Sequence, residues 1–159
     1  MDVVSFTINH DALRRGIYVS RRDPVGGTVV TTFDIRMKVP NREPVLHTDA
    51  LHTLEHLLAV YLRSASSGWA DRVLYVGPMG CRTGLYLLLV GDYASRDVAE
   101  LVKAAFRSVL EFRGEVPATT SRACGHYQDH NLDMAQWEAR KFYDEVLEHL
   151  AEENLQYPE

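Results

Sequence analysis

The chain has 159 residues, 46% hydrophobic and 25% charged, which is the balance of a soluble globular protein with a sizeable core and excludes a fibrous or disordered chain. Seventeen Lys and Arg against 22 Asp and Glu leave a formal net charge of −5, so no global positive field draws in nucleic acid or an acidic membrane. The start MDVVSFTINH lacks the basic flank and apolar run of a signal peptide, and the longest aliphatic run, LYLLLV at 85–90, cannot span a bilayer. The expectation is a cytoplasmic protein without a membrane partner, whose two cysteines, Cys81 and Cys124, are thiols in a reducing compartment.

No repeat, low-complexity tract or linker divides the sequence, which predicts one domain over 1–159. Residues 3–8 (VVSFTI), 17–21 (IYVSR) and 28–39 (TVVTTFDIRMKV) are rich in β-branched residues and read as strands, with DPVGG at 23–27 as the turn between the last two. After PNREP at 40–44, Thr48 or Asp49 is placed to cap a helix running to about Ser66. Leu51, Leu54, Leu58, Tyr61 and Leu62 spread apolar side chains around most of its circumference, so this helix is expected in the core. Strands follow at 72–77 and 84–91, joined by PMGCRTG. Val98, Leu101, Val102, Ala105, Val109 and Phe112 then mark a helix from Ser95 to Phe112. An irregular stretch with ACGHYQDH precedes a last amphipathic helix over 132–153. Strands come in runs with helices between them, giving an α+β class: a mainly antiparallel sheet packed against a buried central helix and further helices.

The chemistry-bearing stretch is HTLEHLLA at 52–59. Residues four apart stack on one helical face, so His52 and His56 can aim both imidazoles at one point, with Glu55 bordering the same face. The H-x-x-E-H order has the logic of the inverted zinc proteases, two imidazoles holding a metal and a carboxylate handling a proton. An ionised glutamate in an apolar helix is costly unless compensated, and a nearby cation offsets that cost. A catalytic metal takes three protein ligands and keeps one position open. Spacing leaves the third open among Cys81, Cys124, His10, His47, His126, His130 and His149.

SFTINH (5–10), FDIRM (33–37), HTLEHLLA, GPMGCRTGLY (77–86) and CGHYQDH (124–130) occur in that order. Together they resemble the S-ribosylhomocysteine lyase (LuxS) family over nearly the whole chain. PMGCRTG combined with H-T-x-E-H and a later C-G-x-Y is far more specific than any one of them. The resemblance implies a homodimer with active sites at the subunit interface. It also implies one divalent metal per subunit, iron(II) in the cell and zinc(II) or cobalt(II) in purified protein. It assigns His52, His56 and Cys124 as ligands, Cys81 and Glu55 as the catalytic thiol and carboxylate, and Ser5, His10, Arg36 and Arg63 as substrate-binding residues. The implied reaction moves the carbonyl of S-ribosylhomocysteine along the sugar and eliminates the thioether. Its products are homocysteine and 4,5-dihydroxy-2,3-pentanedione, the autoinducer-2 precursor.

The chain departs from the family pattern in three places. Tyr75 stands where an aspartate is common, Gly77 where serine is common, and His126 where asparagine is common. The first removes a carboxylate suited to the substrate's amino group. A metal-dependent peptidase and a catalytically silent metal-binding protein are the competing readings. The peptidase lacks any further matching feature, and a silent site needs neither Cys81 nor Glu55.

Overall fold

The computed structural model describes residues 3–159. Four strands, β1 (Gly16–Val25), β2 (Thr28–Arg36), β3 (Val73–Pro78) and β4 (Gly84–Val90), form one antiparallel sheet in the order β1-β2-β4-β3. A hairpin joins β1 to β2 through Gly26 and Gly27, whose φ values of 53° and 84° are those a two-residue turn matched to strand twist demands. Asp23 and Pro24 continue β1 instead of forming the turn. Pro24, paired with Val29, is tolerated because β1 is an edge strand and its missing N–H costs no interior ladder bond.

The helices are α1 (Val4–Thr7), α2 (Thr48–Leu62), α3 (Ser95–Glu111) and α4 (Leu132–Glu145). The strand expected at 3–8 is instead the single turn α1. Phe6 N–H bonds to Val3 O and the Thr7 hydroxyl to Val4 O, so local partners replace a sheet neighbour. Its side chains are not packed, and Phe6 is 82% exposed. α2 ends a turn earlier than expected, because the Ser64 and Ser67 hydroxyls take the Tyr61 and Leu62 carbonyls. His47 is its N-cap, in place of Thr48 or Asp49, and Asp49 sits in the first turn, accepting from His47 Nδ1 and Asn131 Nδ2. α4 stops at Glu145 and not at 153; two 3-10 turns, Leu147–His149 and Glu152–Asn154, bring Leu147 and Leu155 back into the core.

Side chains alternate across a strand, so the sheet has an inner and an outer face. Ile17, Phe33, Ile35, Leu85, Leu87 and Leu89 point inward and join residues of α2, α3 and α4 in one contiguous apolar cluster. Tyr18, Thr32, Asp34, Arg36, Tyr86 and Leu88 take the alternate positions. The α+β architecture expected from the sequence is the one observed.

Beyond β2, Lys38 is buried and bonded to Glu138 of α4 at 2.6 Å, an ion pair that ties the sheet end to the helical layer. Removing one partner leaves an uncompensated buried charge. Lys38→Met is expected to lose about 3–5 kcal/mol of unfolding free energy in urea titration, and Lys38→Met with Glu138→Leu to regain most of it.

Candidate metal centre

α2 carries His52 and His56 toward the irregular segment 112–131 that links α3 to α4. Their rings meet edge to face at 4.7 Å between centroids. His52 Nδ1 lies 2.9 Å from Asp129 O, and His56 Nδ1 lies 2.8 Å from Pro117 O. A carbonyl only accepts, so both rings carry their proton on Nδ1 and present a bare Nε2 lone pair. Cys124, on the same segment, places Sγ 3.4 Å from His52 Nε2. The segment that supplies the thiol therefore also orients both imidazoles through its main chain, the arrangement by which protein metal sites fix ligand tautomers.

A fourth donor joins them. His130 stacks on His52 at 4.0 Å, and the ligand atoms of His52, His56, Cys124 and His130 all lie within 4.8 Å of one another. Thr53 Oγ1 donates to Asp49 O and accepts from Asn131 N–H, so His130 Nδ1, 3.1 Å away, is a donor to it. His130 Nε2 is thereby unprotonated, and it is buried without a hydrogen-bond partner, the one such side-chain N or O atom among the described residues. Burial first, then the neighbouring His52 and His56, hold this imidazole below its ordinary pKa and keep it neutral at pH 7. An orphaned lone pair beside two others and a sulfur fits a divalent cation, and imidazole with thiolate suits iron, cobalt or zinc better than magnesium or calcium. His130 was one of several open candidates in the sequence; its signal, a histidine six residues after Cys124, gains meaning only from the fold.

Glu55 borders this cluster on α2 but is only half-buried, and none of its oxygens is sealed from solvent without a partner. Compensation of a buried carboxylate is thus not what argues for a metal here; the nitrogen and sulfur geometry is.

The second reactive group sits at the far end of β2. Residues 79–83 close a tight connection between β3 and β4, with Met79 N–H bonded to Gly84 O and Arg82 N–H to Met79 O, which exposes Cys81. Arg82 holds φ 58°, and Ala118, beside Pro117, holds φ 60°. Left-handed backbone at non-glycine residues is costly; of the three instances among the described residues, these two border the site groups and the third, Asn41, lies in the turn after β2. Arg36 is 2% exposed. It gives Nε and Nη2 to Asp34 at 3.0 and 2.5 Å and Nη1 to Thr83 Oγ1 at 2.7 Å, and Nη1 stands 3.9 Å from Cys81 Sγ. Thr83 Oγ1 lies 3.0 Å from the same sulfur. Because Thr83 accepts from Arg36, its hydroxyl proton is free to point at Cys81, so two donors face the sulfur. Gly16 and Gly84 pair with Arg36 in register on either side, and each is required by close backbone approach, a Cβ at Gly16 colliding with Asn154 O and one at Gly84 with Ile35 O.

Of the remaining expected residues, Ser5 lines an outer-face groove of about 340 Å³ with Ser20, Thr32, Tyr75 and Tyr86. His10 bonds through Nδ1 to Ile8 O at 2.8 Å, and its Nε2 has no hydrogen-bond partner among the described residues. Arg63 caps α2 and donates to Leu74 O of β3. Tyr75 lies across Gly77, where a Cβ would stand 1.8 Å from the Tyr75 hydroxyl, so the two departures at 75 and 77 are one coupled change in packing. His126 is exposed, 3.9 Å from Asp129. No hydrogen bond or ion pair among the described residues joins the Cys81 group to the histidine cluster.

The family model described as S-Ribosylhomocysteinase (LuxS) matches residues 3–153. The chain belongs to this family. A Phocaeicola vulgatus S-ribosylhomocysteine lyase is 57% identical over 98% of this chain and 96% of its own length. Proteins of the same name from Porphyromonas gingivalis and Clostridium acetobutylicum are 55% and 48% identical, each over 99% of this chain and 98% of their own. Both clusters the fold assembles lie within the matched residues.

A cobalt(II)-loaded sample is expected to show sulfur-to-metal charge-transfer absorption that Cys124→Ser abolishes and Cys81→Ser leaves intact. Absorption spectra of the three proteins at matched metal content check the ligand assignment.

Proposed function

We propose that the chain is an S-ribosylhomocysteine lyase, a cytoplasmic enzyme of one domain that releases homocysteine and 4,5-dihydroxy-2,3-pentanedione. The observation that carries this reading is near-full-length similarity, at about half identity or more, to proteins of that name. A divalent ion held by His52, His56 and Cys124, with the orphaned His130 Nε2 as a further donor facing it, fits the donor set, with iron(II) as the metal in the cell and zinc(II) or cobalt(II) in purified protein. When bound, it supplies Lewis acidity that polarises the sugar carbonyl and lowers the cost of negative charge on its oxygen.

The chain's own groups move the protons. The carbonyl must migrate from C1 to C3 before the C5 thioether can leave, and each shift takes a proton from carbon next to a carbonyl and returns one to the neighbouring carbon. Cys81, with Arg36 and Thr83 facing its sulfur, is suited to remove a proton as thiolate. Glu55, half-buried and open to solvent on one side, can exchange protons at a different position of the sugar. In the last step a base removes the C4 proton, the C5–S bond breaks, and the sulfur departs as homocysteine thiolate to be protonated. Ser5, His10, Arg36 and Arg63 are the residues we assign to the substrate. Arg36 meets it from beside Cys81, since its other donors are committed to Asp34 and Thr83.

Asp34 and Arg36 project from the sheet face opposite the helical layer that carries the histidines, and among the described residues no hydrogen bond or ion pair links the two groups. The outer face also leaves Val3, Val4, Phe6, Leu74 and Tyr75 exposed. Uncovered apolar surface of this kind marks a docking face, and a two-fold partner would let the Cys81 group of one subunit meet the metal cluster of the other. We therefore propose a homodimer with its active sites at the interface.

Incubation of metal-loaded protein with S-ribosylhomocysteine is expected to release one thiol per substrate, read by thiol titration. Absence of release would overturn the assignment. Cys81→Ala and Glu55→Ala are each expected to lose about 10²-fold or more in turnover with metal content unchanged. Phe6→Glu is expected to move the sedimentation coefficient from dimer toward monomer and to lower activity with it.

A further inference from the structure

Asp34 is fully buried at the outer face of the sheet, and three donors converge on its carboxylate: two from Arg36 and the Tyr157 hydroxyl, 2.8 Å from Oδ2. Tyr157 lies in the segment after the last 3-10 turn and reaches Asp34 because its ring stacks on Tyr18, 4.8 Å between centroids and 16° between planes. Tyr18 gives its own hydroxyl elsewhere, to Arg14 O at 2.9 Å. The stack therefore fixes the Tyr157 ring, and the fixed ring aims one hydroxyl at one carboxylate oxygen.

An isolated arginine–aspartate pair nearly cancels its own field a few ångströms away. A donor on the far side of the carboxylate draws negative charge away from the guanidinium and leaves its free edge more positive. That edge is Nη1, which faces Thr83 Oγ1 and Cys81 Sγ. We propose that Tyr157 is a positioning residue for Cys81: its hydroxyl polarises Asp34, which orients Arg36 and strengthens the guanidinium field at the sulfur. The proposal rests on the reading of Cys81 as a proton carrier for its catalytic meaning, though not for the electrostatics.

Two facts about the surroundings sharpen it. Burial first, then the Asp34 carboxylate, push the Tyr157 phenol well above its ordinary range, so it stays a donor throughout the working pH range. Burial alone would lower Arg36, but Asp34 more than offsets this and holds it protonated. The titratable and charged groups facing this pair are Tyr18 on β1, Tyr86 on β4, Cys81 in the β3–β4 connection and Tyr157; Arg14 and Glu153 stand around Tyr18 with opposite charges. Tyr157→Phe changes one hydroxyl among them and keeps the stacked ring.

The test is alkylation of Cys81 by iodoacetamide across pH on metal-loaded protein, quantified on the peptide that carries Cys81. In Tyr157→Phe the pH of half-maximal rate is expected to rise by about half a unit, and the rate on the acid limb of the profile to fall about threefold. Thiol release from S-ribosylhomocysteine should follow, with kcat at low pH reduced and KM unchanged. Tyr18→Phe, which removes a hydroxyl not directed at Asp34, should leave the alkylation profile in place. Superimposable profiles for Tyr157→Phe and wild type would overturn the proposal, as would equal shifts in both variants. A shifted alkylation profile with an unmoved lyase profile would uphold the action of Tyr157 on Cys81 and remove Cys81 from the reaction instead.

Discussion

An imidazole has one proton and two nitrogens, and where the proton goes decides whether the other nitrogen can bind an ion. In this protein the main chain makes that decision. Asp129 and Pro117 accept from the Nδ1 atoms of His52 and His56, and Thr53, committed as a donor to Asp49, accepts from His130. Three bare Nε2 atoms and one sulfur follow from these contacts. The burial of α2, the course of the segment 112–131 and the cap of α4 at Asn131 all serve to keep those acceptors in place, because Asn131 N–H also binds Thr53. A carbonyl cannot titrate or rotate away as a side chain can, so it fixes which nitrogen of the neutral ring is left bare.

The sheet contributes by parity. One face of β2 closes the apolar core with Phe33 and Ile35, and the alternating residues Asp34 and Arg36 turn a buried ion pair toward the opposite side. Burying charges this way is not a route to stability, since the desolvation penalty rivals the attraction. What it provides is a guanidinium that cannot wander, with glycines beside it in both neighbouring strands and a reactive thiol at its open edge. Lys38 and Glu138 repeat the device a little further along, where it joins layers instead of facing a reactant.

Much of this was legible in the sequence because it rests on local periodicity. The four strands, α2, α3 and the start of α4 follow from apolar spacing and turn residues, and the chelating pair follows from the 3.6-residue repeat. Features that depend on distant partners were not legible. The β-branched stretch at 3–8 has strand propensity but no neighbouring edge, so it folds into the turn α1. Apolar residues at 146, 147 and 150 continue a helical pattern, yet the chain bends to bury Leu147 and Leu155. Cys124 was singled out by family resemblance, since no spacing rule connects it to α2 across 72 residues of separation. His130 and Tyr157 acquire their roles only through contacts with residues 77 and 123 positions away.

The segment between α3 and α4 is largely exposed and without regular structure, the profile of a surface connection that evolution and engineering usually lengthen or trim with impunity. Here three fixed points along it, Pro117 O, Cys124 Sγ and Asp129 O, grip two side chains one helical turn apart. Inserting or deleting a single residue between them would displace an acceptor from its ring or the sulfur from its partner. The least ordered-looking stretch of the molecule is thereby a measured ruler, and its length is as constrained as that of any strand in the sheet.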